Sequence, residues 1–136
     1  MGVELKDKLP GLKKSVGEEL LRVHKNYQPL LATLPQGMVK GLAHITGGGL
    51  IDNLPRVLPP IADAVIDTKT WKVPAIFRHI GEGGKIDPTE MYQVFNMGIG
   101  MTVIVSATDR ENALKLTKGR VIGRIESGSG RVRLEF

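Results

Sequence analysis

The run His44-Ile45-Thr46-Gly47-Gly48-Gly49-Leu50 passes from β-branched residues through three consecutive glycines and into Leu50-Ile51-Asp52-Asn53-Leu54. Upstream, Val39, Ile45 and Thr46 around Leu42-Ala43 make Met38 to Thr46 a strand candidate. Downstream, the apolar segment reads as a short helix stopped by Pro55. Glycines without Cβ let successive backbone N–H groups converge into a concave nest, and a helix N-terminus adds partial positive charge. The joint therefore suits an anion such as phosphate. Thr46 adds a hydroxyl, and Arg56, just past Pro55, a charged fork for the same anion. The alternative is that the glycines simply make a tight strand-to-helix turn. No Lys-Ser/Thr follows at P-loop spacing, so triphosphate binding is not implied. His44 is a weak catalytic candidate, because a strand histidine is more often a hydrogen-bonded structural one. Asn53 and Asp52 read more simply as polar groups on the helix surface.

Outward from this joint, strands and helices interleave. Residues 1–12, with Pro10-Gly11 and mixed charge, read as a lead-in, and residues 13–136 as one domain. Ser15-Val16-Gly17-Glu18 has capping-box spacing ahead of a short helix. Tyr27, Leu30, Leu31 and Leu34 form one face of a second. Ile61 to Thr68 is a second strand. Pro74 opens a helix that ends in Gly81-Glu82-Gly83-Gly84. Asp87-Pro88-Thr89-Glu90 starts another, with Asp87 as cap and Pro88 at the first helical position, running to about Phe95. Met101 to Val105 suits a strand buried on both faces. Thr108-Asp109-Arg110-Glu111 repeats the capping box before a helix ending at Lys118-Gly119. Val121 to Glu126 and Arg131 to Glu135 read as a hairpin across Ser127-Gly128-Ser129-Gly130. The class is α+β, or mixed α/β, with helices layered on a mixed sheet.

Composition narrows the chemistry. With 136 residues and 41% apolar content, one domain is expected, and no apolar run is long enough to span a bilayer. The first residues show no export or lipid signal, which makes the cytosol the default. There is no cysteine, so disulfides, thiol nucleophiles and thiolate metal sites are excluded, and the spacing of the three histidines matches no metal motif. No metal site is expected. The net charge of +5 sits at the two ends: seven basic against four acidic residues in 1–40, and again seven against four in 101–136. Aromatics are not interleaved with these basic residues, so nucleic acid is not an expected partner.

The second glycine-bearing run, Phe95-Asn96-Met97-Gly98-Ile99-Gly100-Met101, enters a buried strand. It lacks the third glycine of a dinucleotide fingerprint and runs helix to strand, so it reads either as close backbone packing or as a ligand contact with Asn96 as the polar group. No nucleophile elbow or paired carboxylates complete a catalytic set. The residues alone describe a phosphate-metabolite-binding domain whose chemistry is not self-contained.

Gly41-Leu42-Ala43-His44-Ile45-Thr46-Gly47-Gly48-Gly49-Leu50, Asn53-Leu54-Pro55-Arg56-Val57-Leu58-Pro59, then Trp71, Pro74, Phe77, Glu90-Met91 and Phe95 to Met101 resemble, in order and spacing, the C-terminal domain of the phosphoribosylformylglycinamidine cyclo-ligase (AIR synthetase) family. The likeness runs from about Leu9 through the final strands. It implies an ATP- and magnesium-dependent ring closure of formylglycinamidine ribonucleotide to 5-aminoimidazole ribonucleotide in purine synthesis. ATP would phosphorylate the formyl-amide oxygen, an amidine nitrogen would attack, and phosphate would leave. The resemblance further implies a homodimeric two-domain enzyme whose N-terminal domain, absent from this chain, binds most of the ATP and magnesium, so the chain by itself is expected to be inactive.

By the same resemblance His44, Thr46, Gly47, Gly48, Gly49, Asn53 and Arg56 line a cleft that holds a phosphate of the phosphoribosyl substrate or of ATP. Asn96, Gly98 and Gly100 form its rear wall. Two departures stand out: Gln93-Val94 replaces a usual Arg-Thr, and Leu20-Leu21-Arg22-Val23-His24 replaces a proline-containing version. A related ATP-dependent synthetase or kinase of the same superfamily, or a free-standing metabolite-binding or assembly domain, are the competing readings.

Overall fold

The computed structural model describes residues 2–136. In chain order it contains α1 (Val16–Leu20), α2 (Gln28–Leu31), β1 (Val39–His44), α3 (Gly49–Asn53), β2 (Ala62–Asp67), α4 (Ala75–Gly84), α5 (Pro88–Val94), β3 (Met101–Val105), α6 (Arg110–Thr117), β4 (Gly123–Ser127) and β5 (Val132–Glu135). Single 3-10 turns at Leu54–Val57, Thr68–Thr70 and Ala107–Asp109 join them. This is an α+β fold, as the interleaved sequence pattern implies, with two small sheets where that pattern reads as one mixed sheet.

Local chemistry sets several element ends. Ser15 and Glu18 form the full capping box of α1, and Asp87 accepts from the Thr89 N–H ahead of Pro88 to start α5. The cap before α6 lies two residues earlier than the sequence pattern places it. The Ser106 hydroxyl accepts from the Asp109 N–H at 3.3 Å and donates to the Asp109 carboxylate at 2.6 Å, because the chain enters α6 through the 3-10 turn. Helix α4 also runs on through its glycines. Its end is set by Lys85 at φ 52°, while the Ile86 N–H reaches back to the Gly81 carbonyl at 2.9 Å. A Cβ on Gly81 would make ordinary van der Waals contact, 3.6 Å, with the Met91 side chain where α4 meets α5.

The sheets correct two sequence expectations. β4 and β5 do not form a hairpin; the order is β4-β2-β5, with β4 antiparallel and β5 parallel to the strand between them. β2 is buried along Ala62 to Ile66, and the central position pairs its buried backbone N–H and C=O groups along both edges, which β4 and β5, more exposed, do not require. The Asp63 carboxylate accepts from the N–H groups of Ser129 and Arg131 at 2.8 and 2.9 Å, fixing the connection across the end of β2. These two bonds hold the Asp63 carboxyl below its ordinary range. β3 pairs only with β1, antiparallel from Val39↔Val105 to His44↔Met101. Of its residues only Thr102 is buried, so it is not a strand covered on both faces.

The core lies between the sheets and α3 and α5. Ile45, Leu50, Leu54 and Val65 are its fully buried large side chains, each worth roughly 1.5–3 kcal/mol by burial. Trp71 donates its indole N–H to the Met97 carbonyl at 3.0 Å and meets Tyr92 edge to face. Burial pushes the Tyr92 phenol up. No helix among the described residues is long and apolar enough to cross a membrane.

Candidate functional site

Strand alternation orients the end of β1. Ala43 and Ile45 point into the core, Ile45 extending the ladder by donating to the Gly100 carbonyl at 3.0 Å, so His44 and Thr46 face outward. The chain then turns through Gly48 (φ 95°) and Gly49 (φ 55°), with the Gly49 N–H closing onto the Thr46 carbonyl at 3.0 Å. A Cβ on Gly49 would overlap the Tyr92 carbonyl, so this glycine exists to let α3 abut the end of α5. A Cβ on Gly48 would lie 2.9 Å from the Asp52 Cβ. A Cβ on Gly47 would meet nothing within 4 Å.

Asn53 is buried and donates its amide to the carbonyls of Gly47 and Gly49, at 3.1 and 2.8 Å. Its N–H groups lock the turn from within and are not offered to a ligand. The Asp52 carboxylate lies beside Gly48. It stabilises the first turn of α3 and makes that side of the joint less welcoming to an anion.

A cleft of about 250 Å³ opens on the other side, against Gly47. Thr46, Gly47 and Asn96 contribute its polar groups, with Phe77, Phe95 and His24 as ring walls. Phe77 and Phe95 pack with ring centroids 5.6 Å apart. The Asn96 side-chain oxygen accepts from the Gly98 N–H at 2.9 Å, leaving its amide N–H groups for the cleft. A second, larger groove of about 480 Å³ adjoins it, bordered by His24, Tyr27, His44 and Met101. The Nε2 atoms of His24 and His44 are 2.7 Å apart where the grooves meet.

Of the residues expected at the site, the structure gathers Thr46, Gly47 and Asn96 in one cleft and His44 in the next. Gly48, Gly49, Gly98, Gly100 and Asn53 lie behind the walls. A Cβ on Gly98 (φ 99°) would come 2.6 Å from the Pro74 ring, and one on Gly100 would fall on the Tyr27 hydroxyl. Arg56 is exposed on the 3-10 turn after α3 and borders neither groove. His24, Tyr27, Phe77 and Phe95 enter the site without having been singled out as its members. The only sequence signal for His24 is that its segment departs from the usual family version. Among the described residues no three His, Asp or Glu side chains gather.

The family described as AIR synthase related protein, C-terminal domain, matches residues 2–135. The chain belongs to this family. Among curated relatives, the phosphoribosylformylglycinamidine cyclo-ligase of Caldicellulosiruptor bescii is 46% identical over 127 residues, covering 89% of this chain and 37% of the relative. The chloroplastic/mitochondrial cyclo-ligase of Vigna unguiculata is 46% identical over 134 residues, covering 95% and 34%. That of Thermoanaerobacter sp. (strain X514) is 44% identical over 135 residues, covering 96% and 40%. This AIR synthase C-terminal domain thus spans little more than a third of the relatives it matches.

Proposed function

We propose that this domain supplies the C-terminal cleft wall of an ATP-dependent cyclo-ligase that closes the imidazole ring of formylglycinamidine ribonucleotide. The reading rests on the 46% identity to relatives of that name, and the cleft at Thr46, Gly47 and Asn96 supports it. That cleft offers a hydroxyl, an uncovered backbone segment and a side-chain amide between aromatic walls, a donor set suited to a phosphate or ribose hydroxyls. Arg56, exposed just beyond α3, is available to a phosphate reaching past the glycine joint. His44 borders the adjoining groove, with its Nε2 2.7 Å from that of His24, which borders both, and these two histidines are the groups of this chain able to move a proton near a bound amidine.

ATP supplies the phosphoryl group that turns the formyl oxygen into a leaving group. The further length present in the relatives is the expected source of the ATP and magnesium contacts, and of the dimer. One wall cannot orient two reactants, so this domain alone is expected to be inactive.

Calorimetric titration with formylglycinamidine ribonucleotide and with ATP, separately, tests the reading. Binding of the ribonucleotide that weakens in Gly47→Ala and Asn96→Ala supports it, and Arg56→Ala reports whether the guanidinium reaches the phosphate. ATP binding that those changes weaken, without ribonucleotide binding, would assign the cleft to the phosphate donor instead. Ring closure by this chain with ATP and magnesium alone would overturn the expected inactivity.

A further inference from the structure

His24 and His44 are twenty residues apart, a spacing that forms no local metal motif. The fold brings them face to face. His44 is the outward residue at the end of β1, and His24 lies on the exposed segment between α1 and α2. Their rings meet edge to face with centroids 4.8 Å apart and Nε2 atoms 2.7 Å apart. Tyr27 closes a third side, 5.7 Å from the His24 ring and 6.3 Å from that of His44. Gly100 makes this packing possible, since a Cβ there would occupy the place of the Tyr27 hydroxyl.

The geometry points to a two-histidine chelate for a late first-row divalent cation such as Zn²⁺ or Ni²⁺, with both Nε2 atoms as protein ligands and water in the remaining positions. Imidazole nitrogen is a preferred donor for these ions and a poor one for magnesium, which takes oxygen. Two nitrogens bound about 2.0–2.1 Å from one ion at cis or tetrahedral angles lie roughly 2.9–3.4 Å apart. The nitrogens have to separate by only a few tenths of an ångström, and the two rings, now pointing nearly at each other, have to swing until both lone pairs converge on the ion. His24 can follow, because its segment belongs to no helix or strand and its neighbours are exposed.

In the metal-free pair one Nε2 carries the shared proton. On binding, that proton moves to Nδ1 of the same ring. Neither Nδ1 has a protein partner among the described residues, so the change of tautomer breaks no other hydrogen bond. His24 borders both grooves, so the water positions of the ion open onto them. The third histidine, His79, is engaged elsewhere, its Nε2 lying 2.8 Å from the Pro10 carbonyl. The site does not depend on the cyclo-ligase reading, and its test uses neither substrate nor ATP.

The test is calorimetric titration of the chelator-treated chain with ZnCl₂ and with NiCl₂. One ion per chain is expected, unaffected by excess magnesium. His24→Gln and His44→Gln should each weaken it about tenfold or more, and His79→Gln should leave it unchanged. A second measurement needs no variant: Ni²⁺ added to the native chain should broaden the ring resonances of His24 and His44 before any others. Absence of saturable binding, affinity indifferent to both substitutions, or broadening centred on His79 would each overturn the assignment.

Discussion

The turn at Gly47-Gly48-Gly49 and the turn at Asn96 to Gly100 are both glycine-bearing joints between strand and helix, yet an added side chain would meet different surroundings at each. In the first, the glycines divide: Gly49 is pressed against the Tyr92 carbonyl, Gly48 is held at positive φ beside Asp52, and Gly47 faces open space at the cleft. In the second, both glycines are spent on packing, Gly98 against Pro74 and Gly100 beneath Tyr27. A glycine's contribution to a site is therefore decided by what a Cβ would touch. Only Gly47 of the five combines ordinary φ with free space.

This contrast can be broken by substitution. Gly49→Ala combines positive φ with overlap on backbone that cannot yield, so a loss of about 4 kcal/mol or more is expected, read as failure to fold or a collapsed denaturation midpoint. Gly98→Ala should cost roughly 2–4 kcal/mol for its positive φ and its contact with the Pro74 ring. Asn53→Ala removes the two side-chain bonds that lock the first turn, an expected loss of about 1–3 kcal/mol in chemical denaturation. Gly47→Ala should change stability by less than about 0.5 kcal/mol while weakening ribonucleotide binding. Equal destabilisation by Gly47→Ala and Gly49→Ala would erase the distinction.

A third turn sharpens it. The Ser127-Gly130 connection is held by a side chain, the Asp63 carboxylate, which a Cβ on Gly128 would strike. Because folding lowers the carboxyl's pKa, its contribution is complete above the unfolded aspartate value, near 3.9, and is lost as pH falls through it toward the folded value. Asp63→Asn should therefore flatten the acid limb of a stability–pH profile, with the smallest effect of the series at the acid end of that profile.

Much of the fold is legible locally. Ser15 with Glu18, and Asp87 with Pro88, mark helix starts through contacts spanning three residues or fewer. The alternation that turns Ile45 inward and Thr46 outward is a property of the strand itself. Strand partners are another matter. Val121 to Glu135 reads as a hairpin because its turn chemistry permits one, and only the need to cover β2 on both edges separates its two halves. The same limit hides His24, which sits in an exposed segment with no periodicity to mark it.

The sequence by itself determined the family, the α+β class, the main helix and strand positions and the glycine joint, because these depend on side-chain type and on neighbours a few residues away. Tertiary structure alone decided that β2 lies between β4 and β5, that the Asn53 amide donates to the glycine turn, that Gly47 borders a cleft while Gly49 packs, and that His24 meets His44. Each of these depends on which distant surfaces come within a few ångströms, and such contacts are fixed only when the core closes.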